Sequence, residues 1–433
     1  MKKNILLVNP YIEDFSAYDH FSKPLGLLLL SSYLKEHFNV YFINALNRLH
    51  PLQKVKKFKP DGCGDFPKRK IPTPAILSDI PREYKRYGID EDLFINELKR
   101  YEKPDYIFIT SGMTYWYTGI KYTISILKEI FPDAIILLGG VYASILPEHA
   151  KKVLSVDYVI PYQNLQLVLE KLENIFNLTF NRNFKFPDYE ILGEYYYLPL
   201  LTSTGCVFNC SYCIGHKLNK FVQFDPVWMA FLVKELNQKY NCKNFAFYDD
   251  ALLFNSEAHI NLILEKIIES GIKVKFYTPN GLHIKFLTKK TADLIKEAGF
   301  VDIRLSLESI SEDFQREKGY KTTRDEFLKA MEILYRAGFN KNNIKVYTLL
   351  NVPGEHYPTI EKTMEWIYKS GGQPMLAFYS PIPGTPDFEK ANLITPLDEP
   401  LFQNNTVYLY RSGFDIEYFQ YLKSLERRYR ESS

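Results

Sequence analysis

The stretch Thr204-Gly-Cys-Val-Phe-Asn-Cys-Ser-Tyr-Cys-Ile214 places Cys206, Cys210 and Cys213 close together, directly after an apolar segment. Three thiolates have the number and softness to hold three irons of a four-iron, four-sulfur cluster. The other cysteines, Cys63 and Cys242, are isolated, so a fourth iron would lack a cysteine and stay open to a small molecule. Structural zinc is the alternative interpretation, but zinc normally takes four ligands in two pairs.

The composition indicates an ordinary water-exposed globular protein of two or three domains. The chain has 433 residues, of which 46% are hydrophobic and 24% charged. A formal net charge of +3 gives no footprint of a dedicated nucleic-acid binder. Scattered cysteines and a triad that needs reduced thiols predict a cytoplasmic location. The apolar run Leu25–Leu34 is too short for a membrane span.

Residues 1–170 alternate short apolar segments with amphipathic ones, a pattern typical of a Rossmann-like parallel sheet flanked by helices. The predicted strands are Ile5–Asn9, Val40–Asn44, Tyr106–Ser111, Ala134–Gly139 and Tyr158–Ile160, and predicted helical stretches include Leu25–Glu36 and Gly119–Phe131. Turn residues follow several of these strands, at the edge where open α/β sheets bind ligands. This half therefore has the form of a cofactor-binding module.

One segment interrupts that alternation. Residues 50–92 contain six prolines and many lysines, so regular structure cannot extend far there. An ordered extended excursion and a mobile surface loop are both open interpretations. Residues 171–197 are polar and aromatic and form the predicted connector to a second domain.

From residue 198 to 390 a second, more regular series of strands and helices is predicted. Its strands are Leu198–Ser203, Asn244–Tyr248, Lys273–Thr278, Val301–Leu307, Ile344–Asn351 and Met375–Tyr379, and its helices are Pro226–Tyr240, Ser256–Ser270, Lys289–Ala298, Thr323–Ala337 and Pro358–Ser370. Six such units fall short of the eight that close a full barrel. We therefore predict a partial (β/α)6 TIM-type barrel, followed by an extension over 391–433 that contains a helix at Glu417–Arg430.

Polar residues gather at the ends of these predicted strands, where barrel enzymes keep their active sites. They comprise Asp249 and Asp250, Asn280, the alternating Arg304, Ser306 and Glu308, Pro353-Gly-Glu355, and Ser380-Pro-Ile-Pro-Gly-Thr385. Each piece alone is also common turn chemistry. Together, around one cysteine triad, they predict a ligand site.

The Cys-x3-Cys-x2-Cys spacing, with an aromatic residue before the third cysteine, resembles the signature of the radical S-adenosylmethionine (SAM) superfamily. The resemblance implies that Cys206, Cys210 and Cys213 ligate a 4Fe-4S cluster whose open iron binds SAM. Electron transfer would then cleave SAM to methionine and a 5′-deoxyadenosyl radical. A reductant such as a ferredoxin or flavodoxin is the implied partner.

The same resemblance implies roles for the strand-end residues. Tyr212 would pack at the adenine, and Asp249 or Asp250 would contact the SAM amino group, although the usual Gly-Gly-Glu is altered here. The remaining candidates are Asn280, Ser306, Glu308 and Arg304 for the ribose and carboxylate, and Gly354 for a close backbone approach near adenine. His216 has either a site role or a surface role.

The N-terminal half resembles the cobalamin-binding-type domain that precedes the barrel in one radical SAM subgroup. Lys23-Pro-Leu-Gly-Leu-Leu28 and Gly139-Gly-Val-Tyr-Ala-Ser144 carry that resemblance. Departures are the missing Asp-x-His-x-x-Gly motif, for which Asp19-His20 has the wrong spacing, Tyr142 in place of a histidine, and Pro161-Tyr-Gln-Asn164 in place of an acidic glycine-rich run. Cobalamin is therefore a possible cofactor, and a domain without it is the alternative.

The prediction is a radical SAM enzyme that begins C–H functionalisation, by methylation or rearrangement, of an unidentified substrate. A methylthiotransferase acting on RNA is one rival, disfavoured because residues 1–197 hold a single cysteine. A non-catalytic iron–sulfur electron carrier is another, although a fourth cysteine would suit it better. Cys63, between two glycines, is either a reactive thiol or a buried bystander, and Cys242 is expected to be structural.

Overall fold

The computed structural model describes residues 2–53, 59–162, 164–319 and 321–432. They form two compact units, one of Met1–Glu194 with Asp398–Val407 and one of Tyr195–Leu397 with Tyr408–Ser433. The segment Asp398–Val407 therefore belongs with the first unit, although it lies far along the chain in the extension predicted over 391–433.

The first unit contains a parallel five-stranded sheet and a small antiparallel sheet. Its strands are β1 (Lys3–Asn9), β2 (Ile12–Asp14), β3 (Phe38–Asn44), β4 (Lys68–Lys70), β5 (Lys85–Tyr87), β6 (Tyr106–Ile109), β7 (Ile135–Leu138) and β8 (Tyr158–Val159). The parallel sheet has the order β3-β1-β6-β7-β8. This arrangement confirms the Rossmann-like prediction, with strand bounds that differ from it by one or two residues.

Helices cover both faces of the parallel sheet. They are α1 (Leu25–Leu34), α2 (Glu91–Leu98), α3 (Tyr117–Ile130), α4 (Val141–Ile145), α5 (Pro147–Val153) and α6 (Leu165–Phe176). Alternate residues of β1 point to opposite faces: Leu6 and Val8 pack with α2 and α3, whereas Ile5 and Leu7 pack with α1 and α6. Two buried faces explain why the strands read as continuous apolar runs.

The excursion over residues 50–92 is ordered where the structure describes it; residues 54–58 lie outside the described part. β2, β5 and β4 pair as an antiparallel sheet. Arg48 is buried, pairs with Asp19 at 3.1 Å and donates to the Gly62 carbonyl. Cys63 is 1% exposed, and burial raises the pKa of its thiol. Of the two interpretations of Cys63, the structure favours the buried bystander.

The second unit contains six parallel strands and a short antiparallel pair. The strands are β9 (Leu198–Leu200), β10 (Ser203–Thr204), β11 (Val222–Gln223), β12 (Asn244–Phe247), β13 (Lys275–Tyr277), β14 (Phe300–Glu308), β15 (Ile344–Leu350) and β16 (Gln373–Phe378). The parallel sheet has the order β16-β15-β14-β13-β12-β9. This chain-order parallel arrangement is the one predicted for a six-unit partial barrel.

The described second half of the chain contains the six helices that the sequence predicts and four shorter helices that it does not predict. They are α7 (Gly215–Leu218), α8 (Pro226–Tyr240), α9 (Ile260–Glu269), α10 (Lys289–Ala298), α11 (Glu312–Glu317), α12 (Arg324–Arg336), α13 (Tyr357–Lys369), α14 (Pro386–Ile394), α15 (Asn405–Arg411) and α16 (Ile416–Glu431). α16 packs on β16 through Phe419 and Phe378, whose ring centroids are 5.6 Å apart. In the described part of the chain, no helix has both the length and the apolar character to span a membrane.

One strand prediction was wrong. The segment Leu198–Ser203 is not continuous, because β9 ends at Leu200 and Ser203–Thr204 leaves the parallel sheet to pair with β11. Thr202 and Ser203 instead bind the side chain of Asp249. The chain leaves the parallel sheet at this break and continues into the cysteine loop, which we define as residues 206–213.

Candidate active site

The cysteine loop begins at a backbone position that requires glycine. Gly205 has a φ of +71°, and a Cβ there would lie 2.5 Å from the Asn219 carbonyl oxygen. Glycine alone accepts both conditions without strain. Cys210 is buried in the loop that follows, whereas Cys206 and Cys213 are partly exposed.

Backbone amides point at two of the three sulfurs. Phe208 N–H donates to Cys206 Sγ at 3.5 Å, and Gly215 N–H donates to Cys213 Sγ at 3.4 Å. Burial nevertheless raises the pKa of Cys206 to about 11, and it raises the pKa of Cys210 and of Cys213 as well. A bound metal cation would offset this desolvation and favour the thiolate form.

Within the residues that the structure describes, no three His, Cys, Asp or Glu side chains converge on one point as ligands of a single metal ion would. A structural zinc ion needs four such ligands, whereas a four-iron cluster places each cysteine thiolate on a different iron.

The structure separates the two neighbouring aspartates. Asp249 is 2% exposed and accepts hydrogen bonds from the Thr202 amide at 3.1 Å and from the Thr202 and Ser203 hydroxyls at 2.7 Å. Asp250 has different neighbours: its carbonyl oxygen is 3.9 Å from Cys206 Sγ, and the residue keeps contact with solvent although its carboxyl group is largely desolvated. Desolvation and the Asp249 charge raise the pKa of Asp250 to about 6. Asp250 is thus the aspartate beside the cysteines.

Asn280 contacts Asp250, and Ser306 lies beside Gly281, the residue after Asn280. Asn280 Nδ2 donates to the Tyr248 carbonyl at 2.8 Å and to Asp250 Oδ1 at 3.3 Å. Ser306 is buried, and its Oγ lies 2.9 Å from where a Cβ on Gly281 would be. A side chain at 281 would therefore push Ser306 out of place.

Arg304 is committed to other protein groups. Its Nε and Nη2 donate to Asp302 at 3.1 and 2.9 Å, and Nη1 donates to the Tyr347 hydroxyl at 2.9 Å. The predicted shared face of Arg304, Ser306 and Glu308 is buried throughout. The guanidinium of Arg304 stabilises the sheet, because its three nitrogens already donate to Asp302 and Tyr347.

Glu308 holds an unusual backbone conformation, with a φ of +70°. Non-glycine residues in this region are strained, and such strain concentrates at functional sites. Its carboxylate pairs with Lys321 at 3.2 Å. Lys321 also lowers the pKa of Cys210 and Cys213, against the larger effect of their burial. Lys321, a residue that the sequence did not single out, therefore supplies positive charge beside the cysteines.

Tyr212 and the Pro353-Gly-Glu355 turn complete this edge of the barrel. Burial, the Glu308 charge and Cys210 raise the pKa of Tyr212 well above its usual range. Gly354 is exposed with a φ of +84° and faces Glu317. Both carboxyl oxygens of Glu355 are buried without a hydrogen-bond partner, and burial raises the pKa of Glu355 strongly. An unsatisfied buried carboxyl group is the kind of feature that ligand sites produce.

A second residue that the sequence did not reveal is His283. Its ring stacks on Phe208 with centroids 4.1 Å apart, and Nε2 lies 2.9 Å from the Asp250 carbonyl oxygen and 4.0 Å from Cys206 Sγ. Burial and Lys321 lower the pKa of His283 to about 2, so the imidazole is neutral. Burial also lowers the pKa of His216, whose Nδ1 is buried without a partner.

The carboxyl edge of the first unit's parallel sheet carries a separate cavity of about 350 Å³. Its lining includes Asn9, Asp14, Ser111, Tyr115 and Trp116. Asp14 is held by the Trp116 indole N–H at 2.7 Å and by Asn404 at 2.9 Å. The cavity lies at the edge where the sequence predicts a ligand.

Tyr142, which stands where the resemblance expects a histidine, lies next to His149. Tyr142 is fully buried, and its hydroxyl is 2.6 Å from Nδ1 of His149. Asp19, from the Asp19-His20 pair, is engaged by Arg48. Gln163, in the Pro161–Asn164 run, lies outside the described residues.

Comparison with known families resolves what the barrel is. Residues 200–367 match the model of the radical SAM superfamily. The predicted partial barrel is thus a radical SAM domain, and the protein is a radical SAM enzyme, a class that uses a 4Fe-4S cluster and SAM.

Two curated relatives resemble the radical SAM chain over most of its length. It is 23% identical over 350 residues to an uncharacterised methyltransferase of Pyrococcus horikoshii, covering 70% of this chain and 73% of that protein. It is 21% identical over 355 residues to the anaerobic magnesium-protoporphyrin IX monomethyl ester cyclase of Rubrivivax gelatinosus, covering 69% of this chain and 62% of the cyclase.

Solved structures share the fold of the radical SAM chain at low identity. The radical SAM methyltransferase TsrM from Kitasatospora setae aligns with a TM-score of 0.66 and 14% identity, over 93% of this chain and 83% of TsrM. The cobalamin-dependent radical SAM enzyme OxsB aligns with a TM-score of 0.55 and 16% identity, over 99% of this chain and 61% of OxsB. Both support a Rossmann-like unit followed by a radical SAM barrel.

Proposed function

We propose that Cys206, Cys210 and Cys213 ligate three irons of the 4Fe-4S cluster and leave the fourth iron for SAM. The observation that carries this proposal is the cysteine loop itself. Two backbone N–H groups donate to its sulfurs, and hydrogen bonds of this kind stabilise cluster thiolates. Lys321 adds positive charge beside Cys210 and Cys213. The donor set and its surroundings therefore fit the cluster.

When bound and reduced, the cluster supplies the electron that cleaves SAM to methionine and a 5′-deoxyadenosyl radical. The protein's own groups have binding and positioning roles. Asp250 accepts the SAM amino group, in keeping with its place beside Cys206 and its contact with Asn280. Ser306 and Glu308 contact the ribose and carboxylate, Tyr212 packs at the adenine, and Gly354 allows close approach of the backbone. Asp249 and Arg304 do not contact SAM in this proposal, because their side chains already bind other protein groups.

The proposed outcome is transfer of a methyl group from a further SAM molecule, which leaves as S-adenosylhomocysteine, to an unidentified substrate. The named activities of the P. horikoshii relative and of TsrM support methylation. A low-potential one-electron donor such as a ferredoxin or flavodoxin would reduce the cluster. The five free cysteines suit a reducing compartment such as the cytoplasm.

Cobalamin is the finer question, because TsrM and OxsB are described with it. The first unit provides a cavity of about 350 Å³ at the sheet edge. Ligands of open α/β sheets bind at this edge, so cobalamin is a possible cofactor of the first unit.

The test of the cluster proposal is anaerobic reconstitution with iron and sulfide. We expect about four irons per chain for the wild type, as for any 4Fe-4S protein. Cys206→Ala, Cys210→Ala and Cys213→Ala should each lose most of the iron. Cys63→Ala and Cys242→Ala are matched controls, because both thiols are buried elsewhere, and they should keep it. Stoichiometric zinc in place of iron would contradict the proposal.

Catalysis is tested by adding SAM and dithionite to the reconstituted protein. Release of 5′-deoxyadenosine or transfer of labelled methyl from SAM supports the enzyme. Absence of both in protein with a full cluster would favour the electron-carrier alternative. An absorbance titration with hydroxocobalamin separates cobalamin-dependent from cobalamin-independent chemistry.

A further inference from the structure

Ser211, in the middle of the cysteine loop, is held on every side by residues distant in sequence. Its amide donates to the Lys318 carbonyl at 3.3 Å, and its carbonyl accepts from the Asp387 amide at 3.0 Å. Its hydroxyl donates to Asp387 Oδ2 at 2.8 Å. The amide, the carbonyl and the hydroxyl of Ser211 are therefore all hydrogen-bonded to residues outside the cysteine loop.

Lys318 and Asp387 are themselves locked together in the interior. Lys318 Nζ lies 2.7 Å from Asp387 Oδ1, and the two side chains are 3% and 0% exposed. Lys318 Nζ also donates to the Pro353 carbonyl at 2.6 Å. One ion pair thus joins the cysteine loop to the end of α11, to the turn after β15 and to the start of α14.

The backbone beside Lys318 adds a steric restraint. Gly319 has a φ of +110°, and a Cβ there would lie 3.1 Å from both Cys210 Cα and the Asn209 carbonyl oxygen. Main chain therefore packs directly on main chain at the middle cysteine. Such a close approach leaves the loop little freedom to shift.

We propose that Lys318 and Asp387 form a clamp that positions the cysteine loop for its cluster, with Asp387 as the positioning residue. Burying an ion pair is costly and rarely improves stability over apolar residues of similar size. Here the pair fixes Ser211, so its benefit is placement of the neighbouring sulfurs. Cluster retention rests on the proposed function, whereas placement of the loop does not.

The first experiment therefore uses the protein without iron. Alkylation of each cysteine by iodoacetamide is followed by mass spectrometry, with Cys63 and Cys242 as internal references. In Asp387→Asn and Ser211→Ala, Cys210 should react faster than in the wild type while the two references do not change. Equal rates at Cys210 in wild type and Asp387→Asn would overturn the clamp, whether or not the protein binds iron.

The second experiment measures iron loss from reconstituted protein to a chelator and the EPR spectrum of the reduced cluster. Partners behind metal ligands typically affect affinity by about 10–100-fold, so Asp387→Asn should release iron about tenfold faster, with an altered EPR signal. Lys23→Met, which breaks another largely buried pair at 2.7 Å with Glu194, is the matched control and should release iron as the wild type does.

A double variant guards against simple unfolding. Lys318→Met with Asp387→Leu removes both charges, so the fold keeps its stability while Ser211 loses its acceptor. If this variant melts like the wild type but loses iron and exposes Cys210 faster, the clamp is supported. If it retains iron and protects Cys210 as the wild type does, the clamp is wrong. Failure of the wild type to take up iron would refute the proposed function, and the alkylation result would still stand.

Discussion

Asp249 and Asp250 are neighbours with opposite environments, and substituting each by asparagine should separate a structural role from a binding role. Asp249 accepts from three donor groups of Thr202 and Ser203 in the interior. Asp250 is exposed beside Cys206 and has one long side-chain hydrogen bond, from Asn280. Asparagine gives comparable substitutions at the two positions, and alanine at position 249 removes the acceptor altogether.

The expected magnitudes follow from these contacts. Hydrogen bonds to a charged group contribute about 1.5–3 kcal/mol each, and bonds that share one carboxylate are not additive. Asp249→Ala should therefore lower the free energy of unfolding by about 3–5 kcal/mol, because it leaves three buried donor groups without their acceptor. Asp249→Asn keeps the shape of the side chain but places an NH2 group against the donors of Thr202 and Ser203. It should lower the free energy of unfolding by about 1–3 kcal/mol. Asp250→Asn should change stability by no more than about 0.5 kcal/mol.

Thermal unfolding of iron-free protein measures the first effect. For a domain of this size, 1 kcal/mol shifts Tm by about 2–4 °C, so Asp249→Ala should melt roughly 6–20 °C lower. SAM binding to reconstituted protein measures the second: loss of one charged hydrogen bond should weaken binding about 10–100-fold in Asp250→Asn. A wild-type Tm for Asp249→Ala, or unimpaired SAM binding by Asp250→Asn, would refute the assignment.

Three further predictions concern single residues elsewhere. Gly319→Ala should lower Tm by several degrees, since φ is +110° there and the Cβ would press on Cys210; a matched Tm would show that the backbone can relax. Glu355→Gln should raise Tm more at pH 8 than at pH 5, by about 2–4 °C, because burial raises the pKa of Glu355. A raised carboxyl pKa stabilises the fold at low pH, and that stability is lost as pH rises. Arg48→Met should speed proteolytic cleavage within residues 50–92, because Asp19 and the Gly62 carbonyl lose the buried guanidinium that binds both of them. An unchanged digestion pattern would contradict this role.

The sequence predicted most of the scaffold, and the cysteine-centred site stays a prediction. Helices α8 and α10 were predicted with their observed bounds, because apolar periodicity, Pro226 at a helix start and Gly299 after a helix end are local signals. The order of parallel strands followed from the same alternation. The split between β9 and β10 could not be predicted, since it depends on Asp249, which is 47 positions away from Thr202.

Site residues show the same division. The spacing of Cys206, Cys210 and Cys213 is a property of the sequence itself, so it could be recognised without a structure. His283 and Lys321 were missed because a lone histidine and a lone lysine carry no local signal. Their meaning comes from contacts with Phe208 and Glu308. Arg304 had the right strand face, but Asp302 and Tyr347 occupy its guanidinium.

The sequence by itself determined the class of chemistry, because a short loop of thiolates after a βα strand is encoded within a few neighbouring residues. Only the tertiary structure decided which side chains serve that loop. It turned Asp249 inward and Asp250 outward, and it brought Asp387 to Ser211 across 176 positions. The physical reason is that hydrogen bonding and burial depend on distance in space, which strand pairing and helix packing set and which separation along the chain does not reveal.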